Sequence, residues 1–460
     1  MKTKTKDMTQ GRTLPLILGF ALPILAGNIF QQMYNMIDAF IVGRTLGPGA
    51  LGAVNASSSV QFLVLGFCIG CMNGFAIPVA TKFGAKDEKS MRRYVFHGLI
   101  LTIIIAFVLT IITTVLTSNI LHLLKTPEAT YKNAYNYLFV IFCGLPFTLF
   151  YNLVSGWLRA IGDSKTPFMF LVVSTIINVG LDVLFIVVLS LGCLGAALAT
   201  IIAQAISGIL CFIYMIKKYK MLVAKKNERR FNKAFAFNLL GIGVPMGLQF
   251  SITAIGSMVM QGANNSLGKV YVDSFGAAVR IKQFAMSFFD ALATGVATFV
   301  SQNYGANKLD RVKDGIKKGI LSGIVLGILV GVVLIVFGKG LVGIFVSKEH
   351  TEIIKYGARY LGCLGLFYWG IGILNVTRLS VQSLGFTNLA LISGTIEMIA
   401  RILMSTLVVP HTKYWGICFT DQSAWISATF YIVPICIYCI RKIDNRNKIK
   451  KIVDRQNKEC

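Results

Sequence analysis

Long apolar runs, broken by short clusters of Gly, Pro, Lys and Arg, recur from one end of the chain to the other. Two of them, Leu99 to Leu116 and Leu321 to Phe337, hold no charged residue at all. A helix needs about 20 apolar residues to cross the hydrocarbon core of a bilayer. Reading the runs between their punctuators predicts twelve such helices, near 14–42, 50–82, 94–123, 130–158, 166–190, 193–217, 235–264, 274–303, 314–346, 353–383, 388–409 and 415–440. The expected fold class is an all-α integral membrane protein.

Polar residues inside these runs are few and regularly spaced. The first span carries Asn28, Gln31, Asn35 and Asp38 at steps of three, four and three, which puts all four on one helix face. The fifth carries Ser174, Asn178 and Asp182 at four-residue steps, and the sixth adds Thr200 and Gln204. At membrane depth such side chains must face protein or a wet cavity. An isolated carboxylate there costs about 2.5–3.5 kcal/mol on insertion scales, so Asp38 and Asp182 in one half of the chain require an explanation. One is a cation or proton site that loads from one side and releases to the other. The other is that Asn, Thr or backbone donors satisfy each carboxylate within the packing.

The second half is polar in a different way. Its seventh span offers Gln249, Thr253, Ser257 and Gln261 with no acid, and its eighth offers Arg280, Lys282 and Asp290. The tenth holds Asn375, Arg378 and Gln382, and the eleventh holds Glu397 and Arg401. Four residues apart, those last two have the spacing of an intrahelical ion pair, read here as a structural bridge. Asn28, Gln31, Asn35, Asn152, Gln204, Gln249, Thr253, Asp290 and Gln382 are the expected lining of a cleft or substrate path, with Asp290 open between that role and a structural one.

The chain also repeats itself. Lys82-Phe-Gly-Ala-Lys-Asp and Asn303-Tyr-Gly-Ala-Asn-Lys stand 221 residues apart, Pro23 and Pro245 stand 222 apart, and Asn152 and Asn375 stand 223 apart. Each half then has six crossings and inserts the same way up, the parallel type of repeat. Two pseudo-symmetric six-helix lobes are expected, V-shaped about a central cleft. They comprise an amino-terminal lobe (1–216), a basic linker (217–234), a carboxy-terminal lobe (235–440) and a basic tail (441–460).

Composition agrees and charge orients the picture. The 460 residues are 55% hydrophobic and only 14% charged, with a mean hydropathy of +0.69. A water-facing surface normally carries about a quarter charged residues, so a bilayer is the matching solvent. The net charge of +26 sits between apolar runs, at Lys82 to Arg93, Lys217 to Lys233, Lys308 to Lys318 and Arg441 to Lys458. That placement follows the positive-inside rule and predicts a multi-pass protein of the cell membrane with both termini cytoplasmic. It leaves no folded basic domain for a nucleic acid. The first apolar run extends too far for a cleavable signal. The Cys68/Cys71 and Cys436/Cys439 pairs lie inside apolar runs without a nearby His, so they read as small packing residues.

Several stretches are family-specific: Asp38 before Val42-Gly43, the Leu158-Arg-Ala-Ile-Gly-Asp-Ser-Lys-Thr-Pro167 loop, Asn178-Val-Gly-Leu-Asp182, Gly195-Ala-Ala-Leu-Ala-Thr200 and Ser301-Gln-Asn-Tyr-Gly-Ala306. In this order on a duplicated chain, they resemble the multidrug and toxic compound extrusion (MATE) family, in its bacterial DinF-like or NorM-like branches. The resemblance covers residues from about 12 to 440. It implies outward transport of drug-like, often cationic, compounds driven by inward H⁺ or Na⁺, without a cofactor and with a monomer as the working unit in membrane lipid. It also implies an ion or proton site at Asp38, Asn178, Asp182 and Thr200, with the Ala196 carbonyl as a further ligand. Asp, Asn and Thr oxygens suit a hard cation such as Na⁺. NorM-like members place acids in the seventh and tenth spans, where this chain has Gln249, Thr253 and Gln382, so the resemblance favours coupling through the amino-terminal lobe.

Competing functions fit less well. A lipid-linked oligosaccharide flippase of the same wider superfamily would have a cationic cavity, whereas this amino-terminal half offers acids. An intramembrane enzyme would need a nucleophile–base or metal pair, and His97, His122, His350 and His411 lack ligand spacing. No GxxxxGK[ST] loop is present to bind ATP.

Overall fold

The computed structural model of the chain describes residues 6–123, 126, 128–347 and 349–459. It is all-helical: α1 (Thr13–Gly84), α2 (Glu88–Leu123), α3 (Glu128–Cys143), α4 (Leu145–Ala160), α5 (Lys165–Asp182), α6 (Gly192–Lys218) and α7 (Lys233–Asn265). There follow α8 (Lys269–Gly305), α9 (Leu309–Gly343), α10 (Thr351–Ser383), α11 (Thr387–Leu403), the one-turn α12 (Val409–Thr412) and α13 (Tyr414–Glu459). Among the described residues eleven stretches are long and apolar enough to span a membrane, and up to twelve if the bent pair α3–α4 is counted as one. Two of these stretches, Thr13–Leu46 and Val60–Gly84, lie within α1, so the predicted gap between the first two spans is not a break in the helix.

The predicted fourth span is not one straight helix. α3 and α4 meet at a bend of 46°. Pro146 falls in the first turn of α4, where its missing N–H ends the ladder of α3 and its fixed φ starts a new helix.

The repeat is written in the backbone. Left-handed residues recur at matching places: Lys86 (φ 57°) and Asn307 (φ 56°), Gly162 (φ 87°) and Gly385 (φ 89°), Ser190 (φ 53°) and Lys413 (φ 53°). Gly162 and Gly385 each end a helix in the same way. The next residue's N–H bonds back five positions, Asp163 to the Leu158 carbonyl (2.9 Å) and Phe386 to the Val381 carbonyl (3.1 Å), as a left-handed helix cap does. In the Leu158–Pro167 loop Asp163 then starts α5, accepting the Thr166 N–H (3.0 Å) and hydroxyl (2.6 Å). Single turns of π-helix, Val183–Val188 and Met404–Val408, also fall at equivalent positions.

Contacts divide the chain into two compact units. One holds Gly19–Ile255 with the chain up to Asp7, and the other holds Met8–Leu18 with the chain from Gly256 onward. In the first, Trp157, Phe142, Leu145, Leu149 and Leu153 are fully buried. In the second, α9 shows how packing works without water: Gly315, Gly319, Gly323, Gly327 and Gly331 face inward, while a row of large residues faces out. A Cβ on Gly323 would lie 2.8 Å from the Gly372 carbonyl oxygen, and one on Gly327 would lie 2.5 Å from the Trp369 Cα. Small residues at this four-residue spacing let two membrane helices touch backbone to backbone. On the opposite face Leu321, Val325, Leu329 and Val336 are exposed, as lipid-facing residues are.

The basic linker docks on α2 within the first unit. Arg92 clasps Glu228 with Nε (2.8 Å) and a second guanidinium nitrogen (2.9 Å), and the Lys225 N–H adds a third bond (3.0 Å). The Asn232 N–H donates to His97 Nε2 (2.8 Å), so His97 is the tautomer whose Nδ1–H points to the Arg93 carbonyl (2.7 Å). The Arg92 hydrogen bonds hold the Glu228 carboxyl down from 4.5 to about 2. A carboxyl lowered by folding stabilises the docked linker above its unfolded value, and the contribution disappears as pH falls through the folded one. Glu228→Gln is therefore expected to lower the thermal midpoint of the detergent-solubilised protein at neutral pH. The gap to wild type should close as pH falls from about 4.5 toward about 2; a gap independent of pH would refute the ion pair as its source.

Candidate functional site

The polar face of α5 points into the first unit. Ser174, Asn178 and Asp182 are all buried, Asn178 to 2% exposure and Asp182 to 0%. Both carboxylate oxygens of Asp182, both amide atoms of Asn178 and Oδ1 of Asp38 are buried without a hydrogen-bond partner among the described residues. Buried polar atoms are normally satisfied, and here three neighbouring groups are left open together. Asp38 and Asp182 lie within electrostatic range of each other. All the open oxygens are hard donors, which fits a proton, water or Na⁺.

α6 closes the other wall. Thr200 donates its hydroxyl to the Ala196 carbonyl (3.1 Å) and sits 2.9 Å from the Tyr34 hydroxyl. A hydroxyl has one hydrogen, so Tyr34 is the donor to Thr200. Beside this contact is a cavity of about 30 Å³ lined by Gln31, Asn178, Thr200 and Gln204 among others. It has room for one water or a bare cation and falls far short of the roughly 300 Å³ where drug-sized pockets begin.

Sequence reasoning did not single out Tyr34 or Tyr137. Both lie within electrostatic range of Asp38 and Asp182, and Tyr137 hydrogen-bonds Gln61. Tyr34 stands one turn before Asp38, which was the available signal; nothing in the spacing of α3 pointed to Tyr137.

The expected cleft residues are placed unevenly. Gln31 and Gln204 line the cavity, Gln204 also accepting from Thr148. Asn35 is exposed and bonds Gln31 and Gln32 at 3.5 Å. Asn28 is half-buried. Asn152 donates to the Thr148 carbonyl (2.8 Å), and Gln249 pairs with Thr253 along α7 (3.3 Å). Asp290 and Gln382 belong to the second unit. There Asp290 is exposed halfway along α8 and accepts from Asn375 (3.1 Å), while Gln382 is fully buried.

The Glu397–Arg401 pair is present at 3.2 Å, within a larger buried network. Glu397 also bonds Arg378, Arg401 bonds Asp421 (3.1 Å), and Asp421 bonds Lys282 (2.7 Å) and the Tyr360 hydroxyl (2.6 Å). Three cations and two carboxylates from α8, α10, α11 and α13 are thus joined. Asp421 was missed because its partners lie 20 and 139 residues away, beyond any helical period.

Comparison with known proteins places this geometry in context. The MatE family model matches the chain twice, over residues 23–184 and 245–407. The chain is 36% identical over 382 residues to the probable multidrug resistance protein YpnP of Bacillus subtilis, covering 83% of this chain and 85% of that one. It is 23% identical over 421 residues to the multidrug export protein MepA of Staphylococcus aureus, covering 90% and 92%. Among solved structures it resembles the outward-facing conformation of a multidrug resistance MATE family transporter of the MOP superfamily, with TM-score 0.89, 20% identity and coverage of 96% and 99%. It also resembles a MOP superfamily transporter from Pyrococcus furiosus, with TM-score 0.90, 20% identity and coverage of 96% and 99%. At that identity the structural likeness speaks for the fold alone.

Proposed function

The chain belongs to the MatE family, and from that premise we propose that it exports drug-like, often cationic, compounds in exchange for inward H⁺ or Na⁺. The observation that carries this reading is the open set of buried oxygens on Asp38, Asn178 and Asp182. Carboxylates left unsatisfied at membrane depth are costly, and a mobile cation that neutralises them on each cycle gives that cost a use. The similar proteins YpnP and MepA are named for multidrug resistance and multidrug export, which supports the substrate class.

In this mechanism the outward-facing protein loads H⁺ or Na⁺ onto Asp38 and Asp182, with Asn178, Thr200 and the Ala196 carbonyl supplying neutral oxygens. Tyr34 holds Thr200 in place through its hydroxyl. Loading favours the state with weaker drug affinity, so the compound leaves; release of the ion to the cytoplasm restores capture. One charge moving down 100 mV supplies about 2.3 kcal/mol, enough for roughly fifty-fold accumulation. The 30 Å³ cavity beside Asn178 and Thr200 is too small for a drug-sized compound, so the compound travels elsewhere, along polar residues that include Asp290, Gln249, Thr253 and Gln382. The termini lie in the cytoplasm, and one chain in cell-membrane lipid is the working unit.

The test is dye transport into inside-out vesicles with imposed gradients. Accumulation is expected when H⁺ or Na⁺ is held high inside, and the effective ion identifies the coupling. Accumulation that ignores both gradients would overturn the antiport reading, and transport of a lipid-linked sugar without dye would point to a flippase.

A further inference from the structure

The Ser301-Gln-Asn-Tyr-Gly-Ala306 motif takes no part in the ion site, yet Gln302 and Asn303 are both at 0% exposure. What engages them is main chain from the start of the sequence. Gln302 Oε1 accepts the Met8 N–H at 2.9 Å, and Asn303 Nδ2 donates to the Met8 carbonyl at 3.1 Å. Arg311 donates to the Met8 carbonyl (3.1 Å), the Gly11 carbonyl (2.9 Å) and Asn303 Oδ1 (2.9 Å), so one guanidinium grips two carbonyls and orients the amide beside it. Lys308 donates to the Thr9 carbonyl at 2.9 Å, and the Met8 side chain is fully buried. All these groups belong to the second unit.

We propose that the α8–α9 turn is a built receptor for a turned peptide backbone, that its ligand is the chain's own Met8–Gly11 segment, and that transport requires this clasp. These five bonds go to the segment's main chain, three carbonyls and one N–H, so the turn engages backbone; the Met8 side chain adds a buried anchor. Donors with a positive charge supply most of the contacts, and charge-assisted bonds are the strong ones. The left-handed Asn307 turns the chain between the buried amides and the two cations.

The position of the clasp gives it a mechanical consequence. α1 belongs to the second unit as far as Leu18 and to the first from Gly19 onward. The helix that carries Tyr34 and Asp38 therefore starts from a fixed point on the second unit. The linker has the matching arrangement: Arg92 and His97 of the first unit hold Glu228 and Asn232 just before α7, which stays with that unit as far as Ile255. The helix that opens each half is thus anchored by docked chain at its start.

The experiment is thiol labelling of the full-length protein with a bulky maleimide, after Cys143→Ser removes the one exposed cysteine among the described residues. Met8→Cys is expected to react about tenfold or more slowly than Gln10→Cys, since Gln10 is exposed. Adding Arg311→Gln or Gln302→Ala should bring the two rates together, and Lys308→Gln, which removes one bond only, should give an intermediate rate if the stronger variants do not fold. Arg311→Gln should also lower dye efflux about fivefold or more at equal amounts of monodisperse protein. Equal labelling of Met8→Cys and Gln10→Cys would overturn the receptor. So would protection that survives loss of both Arg311 and Gln302. Release of the segment with unchanged efflux would overturn its role in transport. The labelling rates do not depend on the exporter reading, so failure of one is distinguishable from failure of the other.

Discussion

Asp38→Asn and Asp182→Asn are each expected to lower gradient-driven dye efflux about tenfold or more while leaving the folded protein as stable as wild type. Asn keeps the size and the hydrogen-bonding oxygen of Asp but neither charges nor carries a proton at working pH. The exchange of one charge accounts for about 2.3 kcal/mol per 100 mV, and a variant that cannot load the ion forfeits all of it. The stability half of the expectation separates function from packing. Both oxygens of Asp182 and one of Asp38 have no hydrogen-bond partner among the described residues, so the amide breaks no bond there. If the carboxylates were structural, Asn would cut the thermal midpoint in detergent and spare coupled transport. That pattern would sink the site.

The second large effect concerns the charge network of the second unit, and the sign depends on which member is lost. With three cations and two carboxylates it carries a net +1. Removing Arg401 leaves two complete pairs, Arg378 with Glu397 and Lys282 with Asp421. Removing Asp421 instead leaves Lys282 without its carboxylate and Arg378 and Arg401 sharing Glu397. Stranding a buried charge costs about 3–5 kcal/mol. Asp421→Asn is therefore expected to depress the thermal midpoint far more than Arg401→Met does, although Arg401 makes bonds to both carboxylates. The reverse order, measured on purified protein in one detergent, would show that pair counting misreads the network.

Local pattern carried much of this protein. The punctuated apolar runs place most of the spans to within a few residues because each membrane helix must satisfy its own backbone, and so the signal stays within one segment; the second, read from 50, begins at Val60, and the last, read to 440, runs on to Ile449. The polar faces of α1 and α5 were legible for the same reason: Asn28 to Asp38 and Ser174 to Asp182 keep helical spacing. The break between α3 and α4 was missed because an apolar run looks the same on either side of Pro146. Tyr137 and Asp421 were invisible because each meets its partners across helices, where no period links the positions.

Sequence alone determined the membrane as solvent, the all-helical multi-pass architecture, the duplication and the two candidate acids, since each is a property of one segment or of the match between two. Only the tertiary structure decided which polar groups are left open and which are satisfied. Asp38, Asn178 and Asp182 keep unpaired atoms, while Glu397, Asp421 and the Gln302-Asn303 motif are bonded to distant parts of the chain. The physical reason is that a buried polar group's free energy depends on the partner it finds, and in a helical membrane protein that partner is usually on another helix.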